Sequence, residues 1–204
     1  MAGKSYARPE YAGSPVRLIL QYRGTPLAAP RMSRRDVWSP RPVVLRYRKY
    51  CDALRTLFLE HPQLPKEFQP TNAQLVVMAG NYINGWREYS KSLPIPEYVQ
   101  WVAFMPMPTT WSVKKQKEMY GKLHRVRVDR DNIDKAVCDA LFAEDGAVAV
   151  GRQEKRWVYP GEEQIIIVLH YGSSAESEEC HIPGLQGREG NYLKGVPEFV
   201  RSSS

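Results

Sequence analysis

One short segment, residues 128–141 (VDRDNIDKAVCDAL), constrains the fold more than any other part of the chain. Three of its apolar residues recur at every fourth position: Ile133, Val137 and Leu141. This period predicts an amphipathic helix whose apolar stripe packs against a core. Asp131 or Asn132 is the expected N-cap, with acidic side chains near the positive end of the helix dipole. The segment therefore indicates an anchored helix that begins in a cluster of acids.

Two carboxylates stand at the beginning of this helix. If residues 127–131 are extended, Asp129 and Asp131 point to the same side of the chain, about 7 Å apart between Cα atoms. Converging carboxylates suit a hard divalent cation, which prefers oxygen ligands. Lys135 lies one turn after Asp131 and one turn before Asp139, on the polar side of the helix. An acidic cap followed by a surface Lys–Asp pair explains the same residues, so the spacing leaves capping and metal binding both open.

The run D-x-D-N-x-x-K-x-x-x-D-A-L resembles the signature of the RusA family of Holliday-junction resolvases, small endonucleases mostly of phage and prophage origin. The matching positions are Asp129, Asp131, Asn132, Lys135, Asp139, Ala140 and Leu141. The resemblance implies that Asp129 and Asp131 are metal ligands and that Lys135 is an essential basic residue of the active site. It also implies a RusA-like homodimer that acts on branched DNA and leaves 5′-phosphate and 3′-hydroxyl ends. It covers residues 125–157 firmly and residues 16–50 more loosely.

The third carboxylate of this family has two candidate positions here. RusA-like chains usually carry an Asp-Asp pair after the motif helix, followed about a dozen residues later by a lysine. Counting back from Lys155 places the pair at Glu144 and Asp145, whereas counting forward from Asp139 lands near Val150, which cannot bind a metal. We prefer the first register, because loop length changes at little cost. The expected ligands of Mg²⁺ or Mn²⁺ are then Asp129, Asp131 and Asp145, with Glu144 nearby. In the second register the chain would bind junctions without cutting them.

A net charge of +7 and a pI near 9.3 indicate a polyanionic partner. A basic cluster follows the first predicted strand and includes the aromatic residues Trp38 and Tyr47. Basic and aromatic side chains together suit phosphate contact with some base stacking. RusA-like chains often carry a Pro-Arg element at this place, and Pro30-Arg31 resembles it. The expected DNA-contacting residues are Arg31, Arg34, Arg35, Lys114, Lys115, Arg125, Arg127 and Lys155. A solvated basic face would have the same composition.

The remaining pattern predicts an α+β domain with a small mixed sheet of roughly four strands flanked by helices. Strands are expected at residues 16–22, 74–79 and 98–105, and residues 153–159 and 164–171 are expected to pair as a hairpin turned at Pro160-Gly161. Helices are expected at residues 43–59, with Leu45, Cys51, Leu54 and Phe58 buried, and at 111–120, ended by Gly121.

Residues 1–14 are expected to be a flexible arm, residues 15–171 the nuclease domain, and residues 172–204 a C-terminal extension. Residues 62–98 are either a loop insertion or a packing element that buries Tyr82 and Trp86, and we favour packing. Cys51, Cys138 and Cys180 show no C-x-x-C pairing, which fits a reducing cytoplasm, bacterial or of a phage-infected host. No apolar run reaches transmembrane length, so no membrane partner is expected. The alternative functions are a flap- or fork-cleaving nuclease and a catalytically silent binder of branched DNA.

Overall fold

The computed structural model describes residues 11–80, 82–126, 128–143, 148 and 150–172. Within these ranges the strands are β1 (Val16–Arg23), β2 (Tyr98–Pro106), β3 (Gly151–Val158) and β4 (Gln164–Tyr171). The α-helices are α1 (Pro42–Leu59), α2 (Asn72–Gly80), α3 (Tyr82–Ser92), α4 (Val113–Met119) and α5 (Arg130–Leu141). The predicted α+β class with a mixed four-stranded sheet is confirmed. No helix in the described ranges is long and apolar enough to cross a membrane.

The strands lie in the order β1-β4-β2-β3. β3 runs parallel to β2, whereas β4 is antiparallel to both β1 and β2. The predicted hairpin of residues 153–159 and 164–171 is therefore wrong, because β2 lies between β3 and β4. Burial explains the order. β4 is apolar and almost entirely buried, which suits a position with neighbours on both sides, whereas the charged β3 lies at an edge of the sheet.

The main core fills one face of the sheet, between the strands and helices α1 and α5. The predicted stripe of α5 is confirmed, since Ile133 and Val137 are 0% exposed and Leu141 is 2% exposed. On α1 the predicted residues Cys51, Leu54 and Phe58 are buried, but Leu45 is 46% exposed, so that assignment is wrong. Val44 and Tyr47 hold the corresponding buried positions, because they continue the same helical period towards the N-terminus.

Residues 74–79 are helical and not a strand, because they belong to α2. A Thr-x-x-Gln capping box starts this helix. The Thr71 backbone N–H donates to Gln74 Oε1 at 2.8 Å, and the Gln74 backbone N–H donates to Thr71 Oγ1 at 3.3 Å. A Cβ at Gly85 would stand 2.6 Å from the Met78 backbone, so this glycine lets α3 approach α2 closely. Trp86 on α3 is 2% exposed, which confirms the packing interpretation for that residue.

Candidate active site

The acidic segment begins its helix earlier than predicted. α5 starts at Arg130, and Asp129 is the N-cap with extended backbone angles (φ −65°, ψ 134°). The Asp129 carbonyl accepts the backbone N–H of Asn132 at 3.2 Å, the first bond of the helix. The predicted N-cap at Asp131 or Asn132 and the extended conformation through residue 131 are therefore wrong. The helix begins after Asp129 without a side-chain cap, so the Asp129 carboxylate is not used in capping.

The carboxylates of Asp129 and Asp131 are both exposed to solvent. The Asp129 side chain makes no capping hydrogen bond, and among the described residues the Asp131 side chain, 87% exposed, meets only Arg130, at a long 3.5 Å. Neither carboxylate is therefore tied up in a strong contact, and both lie at the positive end of a helix. Two such oxygen donors fit a hard cation such as Mg²⁺ or Mn²⁺.

A complete metal site is not assembled within the described ranges, where no three His, Cys, Asp or Glu side chains come together. The predicted partners Glu144 and Asp145 lie outside those ranges. Val150, the alternative position, lies within them and is 54% exposed just before β3. An aspartate at position 150 would therefore stand at the surface.

Lys155 on β3 supports the backbone that leads into Asp129. Its ammonium donates to the carbonyl of Val126 at 3.2 Å and to the carbonyl of Val128. Burial lowers the pKa of Lys155, and the nearby charge of Asp129 acts in the opposite direction. The lysine predicted to contact DNA is thus bonded to the loop that carries the first carboxylate of the motif.

Lys135 and Asp139 form the predicted pair on α5, with Lys135 Nζ 3.2 Å from Asp139 Oδ1. The second oxygen, Asp139 Oδ2, accepts the hydroxyl of Tyr47 on α1 at 2.8 Å. Tyr47 is 3% exposed, and burial raises the pKa of its hydroxyl far above its usual range. Tyr47 therefore cannot stack on bases as the sequence suggested. The fixed i,i+4 spacing predicts the Lys–Asp pair, but no sequence signal predicts the partner on α1.

An open cleft of about 610 Å³ lies between α1, α3 and the end of α5. Its basic wall residues are Arg48, Arg55, Arg87 and Lys135. Arg55 is committed to the fold, because its guanidinium donates to the Ala140 carbonyl at 3.0 Å and pairs with Asp52 at 2.8 Å. The sequence reasoning missed this cleft, since its walls come from helices far apart in the chain.

The basic cluster after β1 is held by a buried carboxylate. Asp36 is 1% exposed and pairs with Arg41 at 2.9 Å, and these contacts with Arg41 and Ser33 hold its pKa well below the usual range. Trp38 is 89% exposed, so its ring is open to a partner. The predicted DNA-contacting residues that are exposed are Arg31, Arg34, Arg35, Lys114, Lys115 and Arg125. Lys115 also lies 4.2 Å from the centre of the Trp111 ring, and Arg127 is outside the described residues.

These features define a class of protein, an α+β domain with a carboxylate pair and a lysine at the beginning of one helix and with basic residues on its surface. Residues 73–157 match the family model described as endodeoxyribonuclease RusA. The match spans residues 125–157, extends upstream through α2 and α3, and does not include residues 16–50. This segment, 85 of the 204 residues, is therefore similar to that family. A comparison with curated proteins finds no match.

Proposed function

We propose that this protein is a metal-dependent, structure-selective endodeoxyribonuclease that resolves four-way (Holliday) DNA junctions by phosphodiester hydrolysis. The observation that carries the proposal is the RusA match across α5, where Asp129 and Asp131 present exposed carboxylates without strong partners among the described residues. Lys135, one turn further along the same helix, adds a cation to the motif.

Each residue has a proposed role in the reaction. Asp129, Asp131 and Asp145, with Glu144 nearby, would hold Mg²⁺ or Mn²⁺. A bound cation of this kind supplies polarisation of the scissile phosphate and a lowered pKa for an attacking water. Lys135 stabilises negative charge on the phosphate or on the leaving oxygen.

The charge of the protein and the symmetry of a junction support the proposed substrate and assembly. The exposed arginines and lysines of this basic protein would offset the repulsion between its carboxylates and the DNA backbone. A four-way junction has two equivalent strands to cut, so a two-fold homodimer would present one site to each. The proposed partners are therefore branched DNA and a second copy of this chain, in the cytoplasm.

The test is cleavage of synthetic four-way junctions, flaps, forks and plain duplex, each with and without Mg²⁺. We expect cation-dependent cleavage of the junction and little cleavage of the duplex. Asp131→Asn removes a ligand charge from the first turn of α5, and we expect it to stay folded, to bind junctions and to lose cleavage. Glu118→Gln removes one exposed carboxylate on α4 and is the matched control.

Three results would contradict the proposal in different ways. Preferred cleavage of flaps or forks would indicate a different branched substrate for the same site. Junction binding without cleavage in Mg²⁺ or in Mn²⁺ would indicate a protein that binds branched DNA and does not cut it. Wild-type cleavage by Asp131→Asn would refute the site assignment.

A further inference from the structure

We infer that Tyr47 and Asp139 are positioning residues that fix the ammonium of Lys135 on the polar side of α5, against the Asp139 carboxylate. The inference rests on the proposed function, because it concerns the lysine assigned to the hydrolytic step. It adds a residue from α1, 92 positions away from Asp139 in the chain, to the machinery of the motif helix. Residues 16–50, which include Tyr47, lie outside the segment that matches the family.

The contacts form a short relay in which one carboxylate serves two partners. Asp139 Oδ1 accepts Lys135 Nζ at 3.2 Å, while Asp139 Oδ2 accepts the Tyr47 hydroxyl at 2.8 Å. The Lys135 side chain is 52% exposed, whereas Tyr47 is 3% exposed. The buried end of the relay is therefore rigid and the exposed end reaches the solvent side, where DNA would lie.

A lysine needs such an anchor for an oriented role. Its ammonium stands on a flexible four-carbon stem, and both rotamer freedom and hydration oppose a single orientation. A carboxylate held on its other oxygen offers one fixed acceptor position. The Tyr47 hydroxyl supplies that constraint as a permanent donor, since burial keeps it protonated.

Helix α1 also fixes the backbone of Asp139. Arg55 on α1 donates to the Asp139 carbonyl at 3.3 Å and to the Ala140 carbonyl at 3.0 Å. Its side chain is 11% exposed and pairs with Asp52. α1 therefore holds both the main chain and the side chain of Asp139, so a shift of α1 would move the acceptor that orients Lys135.

The plainer explanation is that Tyr47 only ties α1 to α5. The two explanations differ in what changes when the hydroxyl is removed. A packing contact changes stability and leaves the chemical step alone. A positioning contact slows the chemical step and leaves junction binding unchanged, since small misplacement of a catalytic group is costly.

The experiment compares Tyr47→Phe with Tyr50→Phe in the full chain. Tyr50 lies on the same helix and is 2% exposed, and its hydroxyl has no hydrogen-bond partner among the described residues. We expect Tyr47→Phe to lower the single-turnover rate of junction cleavage about tenfold, in the range of one hydrogen bond to a charged group. The junction Kd and the Mg²⁺ requirement should stay at wild-type values. Tyr50→Phe should cut at the wild-type rate.

A double-mutant cycle separates action through Lys135 from any other effect. In a Lys135→Gln background, followed over long incubations, Tyr47→Phe should cause no further loss. Where Lys135→Gln cuts too slowly to measure, Lys135→Arg serves as the background, and the effect of Tyr47→Phe should differ from its effect in the wild type. An equal tenfold loss in both backgrounds would refute the relay.

Failure of the proposed function and failure of the Tyr47–Asp139–Lys135 relay give different results. If the wild-type protein cuts no branched DNA in Mg²⁺ or Mn²⁺, the proposed function and the relay both fall. If the wild type cuts and Tyr47→Phe matches it, the relay alone is overturned. A loss of stability or of junction binding that accounts for the slower cleavage would also overturn it.

Discussion

Replacement of Lys155 by methionine tests whether this residue supports the active-site loop or contacts DNA. Methionine keeps most of the apolar stem and removes the ammonium. That ammonium donates to the carbonyls of Val126 and Val128, directly before Asp129. In the variant these two carbonyls lose their donor, and the backbone that positions Asp129 is released from β3.

The size of the effect follows from the two hydrogen bonds. A bond from a charged donor contributes about 1.5 kcal/mol at the lower end, and partial exposure reduces this value. We therefore expect a loss of about 1–2 kcal/mol in the free energy of unfolding. For a chain of this length, 1 kcal/mol shifts Tm by roughly 2–4 °C, so Tm should fall by about 2–8 °C.

Two assays measure the consequences of the Lys155→Met replacement. A thermal melt reports the stability, and cleavage of a four-way junction across a Mg²⁺ series reports the requirement for the cation. We expect the Mg²⁺ needed for half-maximal cleavage to rise, because Asp129 is less well positioned. The matched control is Lys122→Met, whose exposed ammonium pairs with the exposed Glu118 carboxylate at 3.2 Å. Such surface pairs contribute little, so its Tm should change by about 2 °C or less.

The result that would refute this reasoning is a different pattern in Lys155→Met. An unchanged Tm, together with a salt dependence of junction binding that flattens by about 0.9 in log–log slope, would mean that Lys155 contacts a phosphate. The DNA-contacting role predicted from the sequence would then be correct, and the hydrogen bonds to the loop would carry no weight.

Three further predictions concern other parts of the molecule. Alanine in place of the exposed Arg31, Arg34 and Arg35 should weaken binding to all DNA sequences alike. The slope of log K against log salt should flatten by about 0.9 for each phosphate no longer neutralised, and an unchanged slope would mean that these arginines form a solvated face. Asp145→Asn should abolish cleavage and keep junction binding, whereas Val150→Asp should leave both cleavage and Tm unchanged; if Val150→Asp instead raises cleavage while Asp145→Asn is silent, the other register is correct. Asp36 has a lowered pKa when folded, so its stabilising effect should be complete above about pH 4 and lost as the pH falls further. Asp36→Asn should flatten that part of a Tm-against-pH curve, and a curve parallel to the wild type would contradict this assignment.

The sequence alone determined the local features of this protein. The period of Ile133, Val137 and Leu141 fixed the buried face of α5, because a helix places every third or fourth residue on one side whatever it packs against. The spacing of the motif likewise brought Lys135 and Asp139 together within one helix. A Thr-x-x-Gln cap at residues 71–74 carried the same kind of local signal, and its helical meaning could have been recognised.

Only the tertiary structure decided how these pieces meet. β4 lies beside β2 and not beside β3, because an apolar strand buries both faces best between two neighbours. Tyr47 reaches Asp139 across 92 positions of the chain, and Lys155 reaches Val128 across 27. Such contacts depend on the distance and angle between packed elements, and no period or spacing in the sequence encodes these quantities.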